Sequence, residues 1–124
     1  MKNGKLILLV EDDPFIRAGI KTHLEANGYL CIEASDGGAA IELARSKQPD
    51  LILLDVMMPT INGYQVCKSL KGDPKFKSIP ILMLSAQSEK EDKEWGEKLG
   101  ADGFLSKPIE FKELDKHIKR LLNK

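Results

Sequence analysis

The sequence predicts an α/β domain built on a parallel five-stranded sheet with helices on both faces. Apolar runs of about five residues alternate with longer amphipathic stretches, which is the pattern of repeated βα units. The run at 51–54 has no polar residue in alternation, as expected for a central strand covered on both faces. Four of the runs end at a charged or hydroxyl residue, so the sequence also predicts a chemically active edge of the sheet.

The five strands are predicted from these apolar runs. The first strand lies at Leu6 to Val10, the second at about Tyr29 to Glu33, and the others at 51–54, 79–84 and 103–106. Most of these runs are rich in Leu or Ile, and turn-forming residues such as Gly, Pro, Asp and Ser occur near their ends.

Three helices are predicted before the fourth strand. Pro14 suits the first turn of the first helix, and Gly28 ends it. The Asp36-Gly37-Gly38 turn precedes the second helix, which closes before Pro49. The third helix follows the Asn62-Gly63 turn.

Two further helices follow the fourth and fifth strands. Ser88-Glu89 gives the fourth helix an acidic first turn, which suits the positive end of the helix dipole, and Gly100 stops this helix. The last helix follows Pro108. Its apolar side chains recur at helical spacing and are expected to face the core: Phe111, Leu114, Ile118 and Leu121.

Length and composition limit the classes of function. A chain of 124 residues suits one domain covering 1–124. Nineteen basic and nineteen acidic residues balance, so nothing favours nucleic acid or an anionic membrane as a partner. The first apolar run is too short for a signal peptide or a membrane span, which predicts a cytoplasmic protein. Cys31 and Cys67 lack metal-ligand spacing and are interpreted as reduced core thiols.

The reactive residues follow four strands: Glu11-Asp12-Asp13, Asp55, Ser85 and Lys107. The carboxyl ends of parallel strands meet at one edge of a sheet, where α/β proteins bind ligands. This combination of acids, a hydroxyl and an ammonium is typical of a site for a divalent cation and a phosphoryl group. Alternatively, the three adjacent acids form a solvated loop, Lys107 is a surface lysine and Ser85 only satisfies a strand end.

A metal ion would balance the charge at this edge. Glu11, Asp12 and Asp55 with Lys107 sum to minus two, which Mg²⁺ or Mn²⁺ would cancel. We expect Asp12, Asp55 and the backbone carbonyl of Met57 to be direct ligands and Glu11 to hold a metal-bound water. An ionised Asp is also a usable nucleophile when nearby groups neutralise the phosphoryl oxygens, and Ser85 and Lys107 are suited to that role.

Four motifs in this order resemble the receiver domain of two-component response regulators, including the single-domain chemotaxis-type regulators, over residues 5–123. The motifs are Leu-Leu-Val-Glu-Asp-Asp-Pro at 8–14, Pro-Asp-Leu-Ile-Leu-Leu-Asp-Val-Met-Met-Pro at 49–59 with Asn62-Gly63, Pro-Ile-Leu-Met-Leu-Ser-Ala at 80–86, and Gly-Ala-Asp-Gly-Phe-Leu-Ser-Lys-Pro at 100–108. The resemblance implies a flavodoxin-like (βα)5 fold with strand order 2-1-3-4-5.

The resemblance also implies roles for the site residues. Asp55 resembles the residue phosphorylated from a sensor histidine kinase or a histidine phosphotransfer protein, and Glu11 and Asp12 resemble the acidic pair that binds Mg²⁺. Ser85 resembles the switch hydroxyl and Lys107 the cation that pairs with the phosphoryl group. Two further implications are a cis peptide bond between Lys107 and Pro108, and a switch aromatic at Phe104, where the chemotaxis type has Tyr.

Such a protein is a switch and catalyses only its own phosphorylation and dephosphorylation. Phosphorylation is expected to change the affinity of the surface around the fourth helix, fifth strand and last helix for a downstream protein. The chain ends after the last predicted helix, so we expect no DNA-binding or catalytic output domain within it. It acts alone, or it is part of a larger regulator.

Three other classes remain open at this point. An Asp-dependent phosphatase usually needs a second acid two residues after the nucleophile, where this chain has Met57. A flavin-binding electron carrier needs a phosphate loop after the first strand, which Glu11-Asp12-Asp13 would disfavour. The third class is a docking module that has lost phosphorylation.

Overall fold

Five parallel strands form one sheet in the order β2-β1-β3-β4-β5. The computed structural model describes residues 4–58, 60–85, 94 and 97–123. The strands are β1 (Leu6–Val10), β2 (Leu30–Ala34), β3 (Leu51–Asp55), β4 (Ile81–Ser85) and β5 (Gly103–Ser106). The predicted fold class and strand order are therefore confirmed.

Two strands extend further toward the reactive edge than the apolar runs alone predict. β3 includes Asp55 and β4 includes Ser85. The ladder continues to this edge because the backbone N–H of Val56 donates to the carbonyl of Leu84 at 2.9 Å. Asp55 and Ser85 are thus held as the last residues of paired strands, where their backbone positions are fixed by the sheet.

Four helices are present in the described part of the chain: α1 (Pro14–Ala26), α2 (Gly37–Lys47), α3 (Gly63–Lys71) and a C-terminal helix (Phe111–Leu122). The first three begin at side-chain caps from Asp13, Asp36 and Asn62, which accept hydrogen bonds from first-turn N–H groups. The fourth predicted helix, from Ser88 to about Leu99, falls mostly outside the described residues, although Glu94, Glu97 and Lys98 have helical backbone conformation.

The helices cover both faces of the sheet because side chains alternate along each strand. On one face, Leu8, Ile52 and Ile81 belong to the core that includes Ala40 of α2 and Val66 of α3. On the other face, the alternate strand residues pack with α1 and the C-terminal helix: Ile7, Leu9, Leu53, Leu82, Ile20, Leu24, Leu114 and Ile118. The central strands β3 and β4 are buried on both faces, as their continuous apolar sequences predict.

Both cysteines are free thiols, with Cys67 buried and Cys31 partly buried. Burial raises the pKa of each thiol to about 11. A thiol with a raised pKa carries little thiolate, which agrees with their interpretation as structural residues. None of the helices in the described part of the chain has the length and apolar character needed to cross a membrane.

The loop after β3 is pressed against the strand that carries Asp55. A methyl group at Gly63 would collide with the carbonyl oxygen of Asp55 and lie 2.8 Å from Cα of Val56. The N–H of Gly63 also donates to the carbonyl of Val56 at 2.9 Å. Glycine is therefore required at residue 63 by the close approach of two backbones rather than by an unusual φ angle.

We expect Gly63→Ala to lower the free energy of unfolding by about 2 kcal/mol, since the added methyl group has only backbone atoms to displace. Gly19→Ala is the matched control, because Gly19 lies in α1 and a Cβ there meets nothing within 4 Å. That control should gain about 0.5–1 kcal/mol from helix propensity. Urea unfolding monitored by circular dichroism measures both, and equal effects of the two substitutions would contradict the close-approach argument.

Candidate functional site

Four strand ends bring the predicted site residues together at the carboxyl edge of the sheet. Glu11 follows β1, Asp55 ends β3, Ser85 ends β4 and Lys107 follows β5. These strands are neighbours in the order β1-β3-β4-β5. The backbone N–H of Lys107 donates to the carbonyl of Ser85 at 2.6 Å, which ties the end of β5 to that of β4.

Lys107 lies between two buried carboxylates. Its Nζ is 2.8 Å from Oε1 of Glu11 and 3.1 Å from Oδ1 of Asp55. Glu11 and Asp55 are each 1% exposed, and the Lys107 side chain is 16% exposed. Neither the solvated-loop reading of Glu11 nor the surface reading of Lys107 therefore agrees with the structure.

One oxygen of Glu11 is left without a well-formed hydrogen bond. Oε2 accepts from the N–H of Asp13 at 3.1 Å, whereas Oε1 is buried and has only its ion pair with Lys107, outside hydrogen-bond geometry. The charge of Lys107 offsets part of the cost of burying this oxygen.

The acidic cluster fits a hard divalent cation. One carboxylate oxygen from each of Glu11, Asp12 and Asp55 can lie within 4.8 Å of the others, and Asp12 is exposed toward solvent. The donor set consists of oxygens, with no His or Cys in the cluster, which favours Mg²⁺ or Mn²⁺ over zinc or copper. The N–H of Met57 is 3.4 Å from Oδ1 of Asp55. The role of the Met57 carbonyl as a ligand stays a prediction.

The electrostatics of Asp55 reflect its burial. Loss of hydration on burial and then the charge of Glu11 raise the pKa of the Asp55 carboxyl to about 7, although Lys107 opposes both. For Lys107 itself, burial would lower the pKa, but the carboxylates of Glu11 and Asp55 outweigh burial and raise it. The site thus holds one firmly protonated ammonium and an excess of negative charge.

Ser85 lies on β4, the strand next to β3, and Phe104 lies on β5, one strand further from β3. Ser85 is 1% exposed, and Phe104 is partly buried, pairs with Met83 across β4 and β5, and packs on the face that carries α2 and α3. The peptide bond between Lys107 and Pro108 is cis. The switch roles of Ser85 and Phe104 stay predictions.

Asp13 has a different task from its two acidic neighbours. Its carboxylate accepts hydrogen bonds from the N–H groups of Phe15 and Ile16 at 2.8 and 3.2 Å and so caps α1. The sequence pattern of Asp followed by Pro14 is a helix-start signal, and the interpretation of Asp13 as a neighbour of the acidic pair agrees with this contact.

Sequence reasoning missed an exposed apolar surface beside the site. Phe15 is 89% exposed, and it lines a shallow groove next to Lys107. The other residues of this groove are Ile16, Gly19, Ile20, Pro108, Ile109 and Phe111. The prediction that Phe111 faces the core is wrong, because this first residue of the C-terminal helix is 42% exposed, whereas Leu114, Ile118 and Leu121 are buried as predicted. The buried residues of α1 are Ile20 and Leu24, which follow Phe15 by five and nine residues. At 3.6 residues per turn this spacing puts Phe15 on the side of α1 away from the core, so the helical period was a signal for its exposure.

Comparison with known proteins agrees with the fold and the site. The profile of the response regulator receiver domain matches residues 7–119. The chain is 42% identical over 121 residues to the alkaline phosphatase synthesis transcriptional regulatory protein PhoP of Bacillus subtilis, covering 98% of this chain and 50% of PhoP. It is 34% identical over 116 residues to protein PilH of Pseudomonas aeruginosa, covering 94% of this chain and 96% of PilH.

A solved structure is similar at the level of the whole chain. The receiver domain of the sensor histidine kinase PA1611 from Pseudomonas aeruginosa, with a magnesium ion coordinated in its active site cleft, superposes with a TM-score of 0.90 at 30% identity. The match covers 98% of this chain and 99% of that domain.

The chain belongs to the response regulator receiver domain family of two-component systems. Members of this family are signalling regulators rather than classical enzymes, and receiver domains interact with histidine kinases. The chain spans about half the length of PhoP and of the probable transcriptional regulator ycf27 of Guillardia theta, but nearly all of PilH.

The raised pKa of Asp55 predicts a pH-dependent stability of the metal-free protein. The folded state binds this proton more tightly than the unfolded state, in which the pKa is 3.8. The contribution of Asp55 to the free energy of unfolding is therefore greatest below about pH 4, and this contribution is lost as the pH rises through about 7. We expect Asp55→Asn to remove that decline and to be more stable than the parent by on the order of 3 kcal/mol near pH 8.

Urea unfolding in the presence of a chelator, at a series of pH values, measures this difference. Asp13→Asn is the control, because Asn also caps helices and residue 13 lies outside the ion-pair cluster. Parallel pH profiles for the parent and Asp55→Asn would show that the burial of Asp55 has no energetic cost.

Proposed function

We propose that this chain is a phosphorylation-controlled switch in which Asp55 accepts a phosphoryl group from a phosphohistidine. The observation that carries the proposal is the placement of the buried Asp55 carboxylate 3.1 Å from the Lys107 ammonium, inside a cluster of acidic oxygens that can bind a divalent cation. A nucleophilic carboxylate, a fixed cation and a metal site are the parts that phosphoryl transfer needs.

The chemistry assigned to the chain is an in-line transfer. An oxygen of Asp55 attacks phosphorus, the P–N bond to the donor imidazole breaks, and the imidazole nitrogen takes up a proton from solvent. Mg²⁺ or Mn²⁺ held by Glu11, Asp12 and Asp55, with the Met57 carbonyl, supplies positive charge to the phosphoryl oxygens when bound. Lys107 pairs with a second phosphoryl oxygen, since its ammonium already touches Asp55.

The response to phosphorylation is proposed to pass along β4 and β5. Ser85 ends β4 next to Asp55, and its hydroxyl is suited to donate a hydrogen bond to the phosphoryl group. Movement of Ser85 alters the space available to Phe104, which lies one strand further along the sheet. The surface formed by the fourth predicted helix, β5 and the C-terminal helix then changes its affinity for a downstream protein, without direct contact to nucleic acid.

The proposed phosphodonor is a sensor histidine kinase or a histidine phosphotransfer protein, and the groove beside Lys107 is the surface proposed to receive it. The groove runs between α1 and the start of the C-terminal helix, and Phe15 and Phe111 expose aromatic surface on its two sides. It adjoins the reactive edge because Lys107 is one of its lining residues. An apolar helix surface that carries the phosphohistidine would cover Phe15 and place the phosphoryl group at Asp55.

We further propose that residues 1–124 form one receiver domain. The match to almost the whole of PilH supports this reading, since PilH is a relative of nearly the same length. The transcriptional regulators that share the domain are about twice as long, and their further activities are properties of those proteins.

Incubation with Mg²⁺ and acetyl phosphate or phosphoramidate should add one phosphoryl group to the parent protein, as measured by intact mass spectrometry. Asp55→Asn should gain none, because the amide is not a nucleophile, and chelation of Mg²⁺ should abolish the gain in the parent. Asp13→Asn should be phosphorylated like the parent. An adduct on Asp55→Asn, or none on the parent with either small donors or a histidine kinase, would overturn the proposal.

Phe15→Ser should slow phosphotransfer from a histidine kinase or phosphotransfer protein by about tenfold, which corresponds to a loss of about 1.4 kcal/mol at an interface anchor. Its phosphorylation by acetyl phosphate should be unchanged, since a small donor does not use the groove. Leu30→Ser is the control, because Leu30 is also an exposed apolar residue (47%) but lies on the edge strand β2. Equal rates for Phe15→Ser and the parent with a protein donor would exclude the groove as the docking surface.

A further inference from the structure

Asp12 is the most exposed member of the acidic cluster. Within the part of the chain that the structure describes, its carboxylate forms no hydrogen bond or ion pair. The two peptide groups on either side of Asp12 therefore set the direction of its Cα–Cβ bond, and with it the region that the carboxylate can reach. One joins Glu11 to Asp12 and the other joins Asp12 to Asp13.

Each of these peptide groups is held by a side chain. The N–H of Asp13, in the second peptide group, donates to Oε2 of Glu11 at 3.1 Å. The carbonyl of Glu11, in the first peptide group, accepts a hydrogen bond from Nη1 of Arg17 at 2.7 Å. This is a short, charge-assisted bond to a backbone oxygen, and such bonds are stronger than neutral ones.

Arg17 is itself anchored to the sheet. Its Nε is 3.3 Å from Oε1 of Glu33 on β2, and its side chain is 22% exposed. The N–H of Glu11 donates to the carbonyl of Ala34, the residue after Glu33, at 3.1 Å. The guanidinium therefore fastens the loop after β1 to the end of the neighbouring strand.

We propose that Arg17 is a positioning residue for the cation site: by fixing the Glu11 carbonyl and hence the peptide before Asp12, it aims the Asp12 carboxylate at the metal position. This inference rests on the proposed function, because it assumes that the cluster binds Mg²⁺. Arg17 touches neither the cation nor Asp55 in this role. Outer groups that orient metal ligands typically affect metal affinity by about 10–100-fold.

The sign of the effect separates positioning from simple electrostatics. Removal of a positive charge near a cation site should tighten the binding of Mg²⁺ if charge alone matters. Loss of a positioning contact should weaken it. Lys21 provides the matched comparison, because its Nζ pairs with the same Glu33 at 3.2 Å, and the structure gives it no contact with the Glu11 carbonyl.

The test is a Mg²⁺ titration of the parent, Arg17→Met, Arg17→Lys and Lys21→Met by NMR, with urea unfolding of each variant as a stability measurement. We expect Arg17→Met to weaken Mg²⁺ binding by about tenfold, at the lower end for outer groups, because it acts through the backbone. Arg17→Lys should recover part of the affinity, since an ammonium can also donate to the carbonyl. Lys21→Met should bind Mg²⁺ as tightly as the parent or more tightly.

Unchanged or tighter binding by Arg17→Met would overturn the inference. Failure of the parent to bind Mg²⁺ would contradict the proposed function rather than the role of Arg17. A second measurement, made without metal, tests the role of Arg17 in that case. Amide hydrogen exchange at Asp12 and Asp13 should be faster in Arg17→Met than in the parent and in Lys21→Met. Equal exchange in all three proteins would show that Arg17 does not hold the loop.

Discussion

The contact of Lys107 with Glu11 and Asp55 is the interaction on which the rest of the site depends. Two almost fully buried carboxylates are costly to keep ionised at one edge of a sheet unless a cation lies between them, because loss of hydration and mutual repulsion act together. Lys107 reaches both because β5 ends beside β4 and its N–H is fixed to Ser85. One ammonium leaves the three-acid cluster with an excess of negative charge, which is compatible with a divalent cation.

Backbone contacts also hold the residues around this ion-pair cluster in place. Gly63 brings the loop after β3 against the carbonyl of Asp55, and the N–H of Val56 continues the ladder to β4. The peptides flanking Asp12 are held by Arg17 and Glu11. Such constraints orient the side chains during folding, so no entropy has to be lost to orient them during a reaction. Phosphoryl-transfer sites achieve most of their rate enhancement by this positioning and by charge stabilisation.

The sequence was sufficient to predict the five strands and the four helices of the described residues, because the period of the apolar residues is a local property. It also predicted the convergence of Glu11, Asp55, Ser85 and Lys107, because the carboxyl ends of parallel strands lie at one edge of the sheet. The need for Gly63 was not readable, since Asn-Gly indicates a turn but does not reveal which backbone lies opposite. The contact of Arg17 with the Glu11 carbonyl was not readable either, because it depends on the position of α1 relative to the sheet. The exposure of Phe15, in contrast, agrees with its spacing of five and nine residues from the buried Ile20 and Leu24, which puts it on the other side of α1.

The pairing of Glu33 with Arg17 and Lys21 has a consequence for solubility. β2 is an edge strand, and Leu30 at its start is half exposed, so its open backbone groups could template the addition of a strand from another molecule. The ion pairs place three charges beside this edge, and an incoming strand would have to strip water from them. Charged side chains beside an edge strand are a common protection against edge-to-edge aggregation, and Arg17, Lys21 and Glu33 are placed for that role.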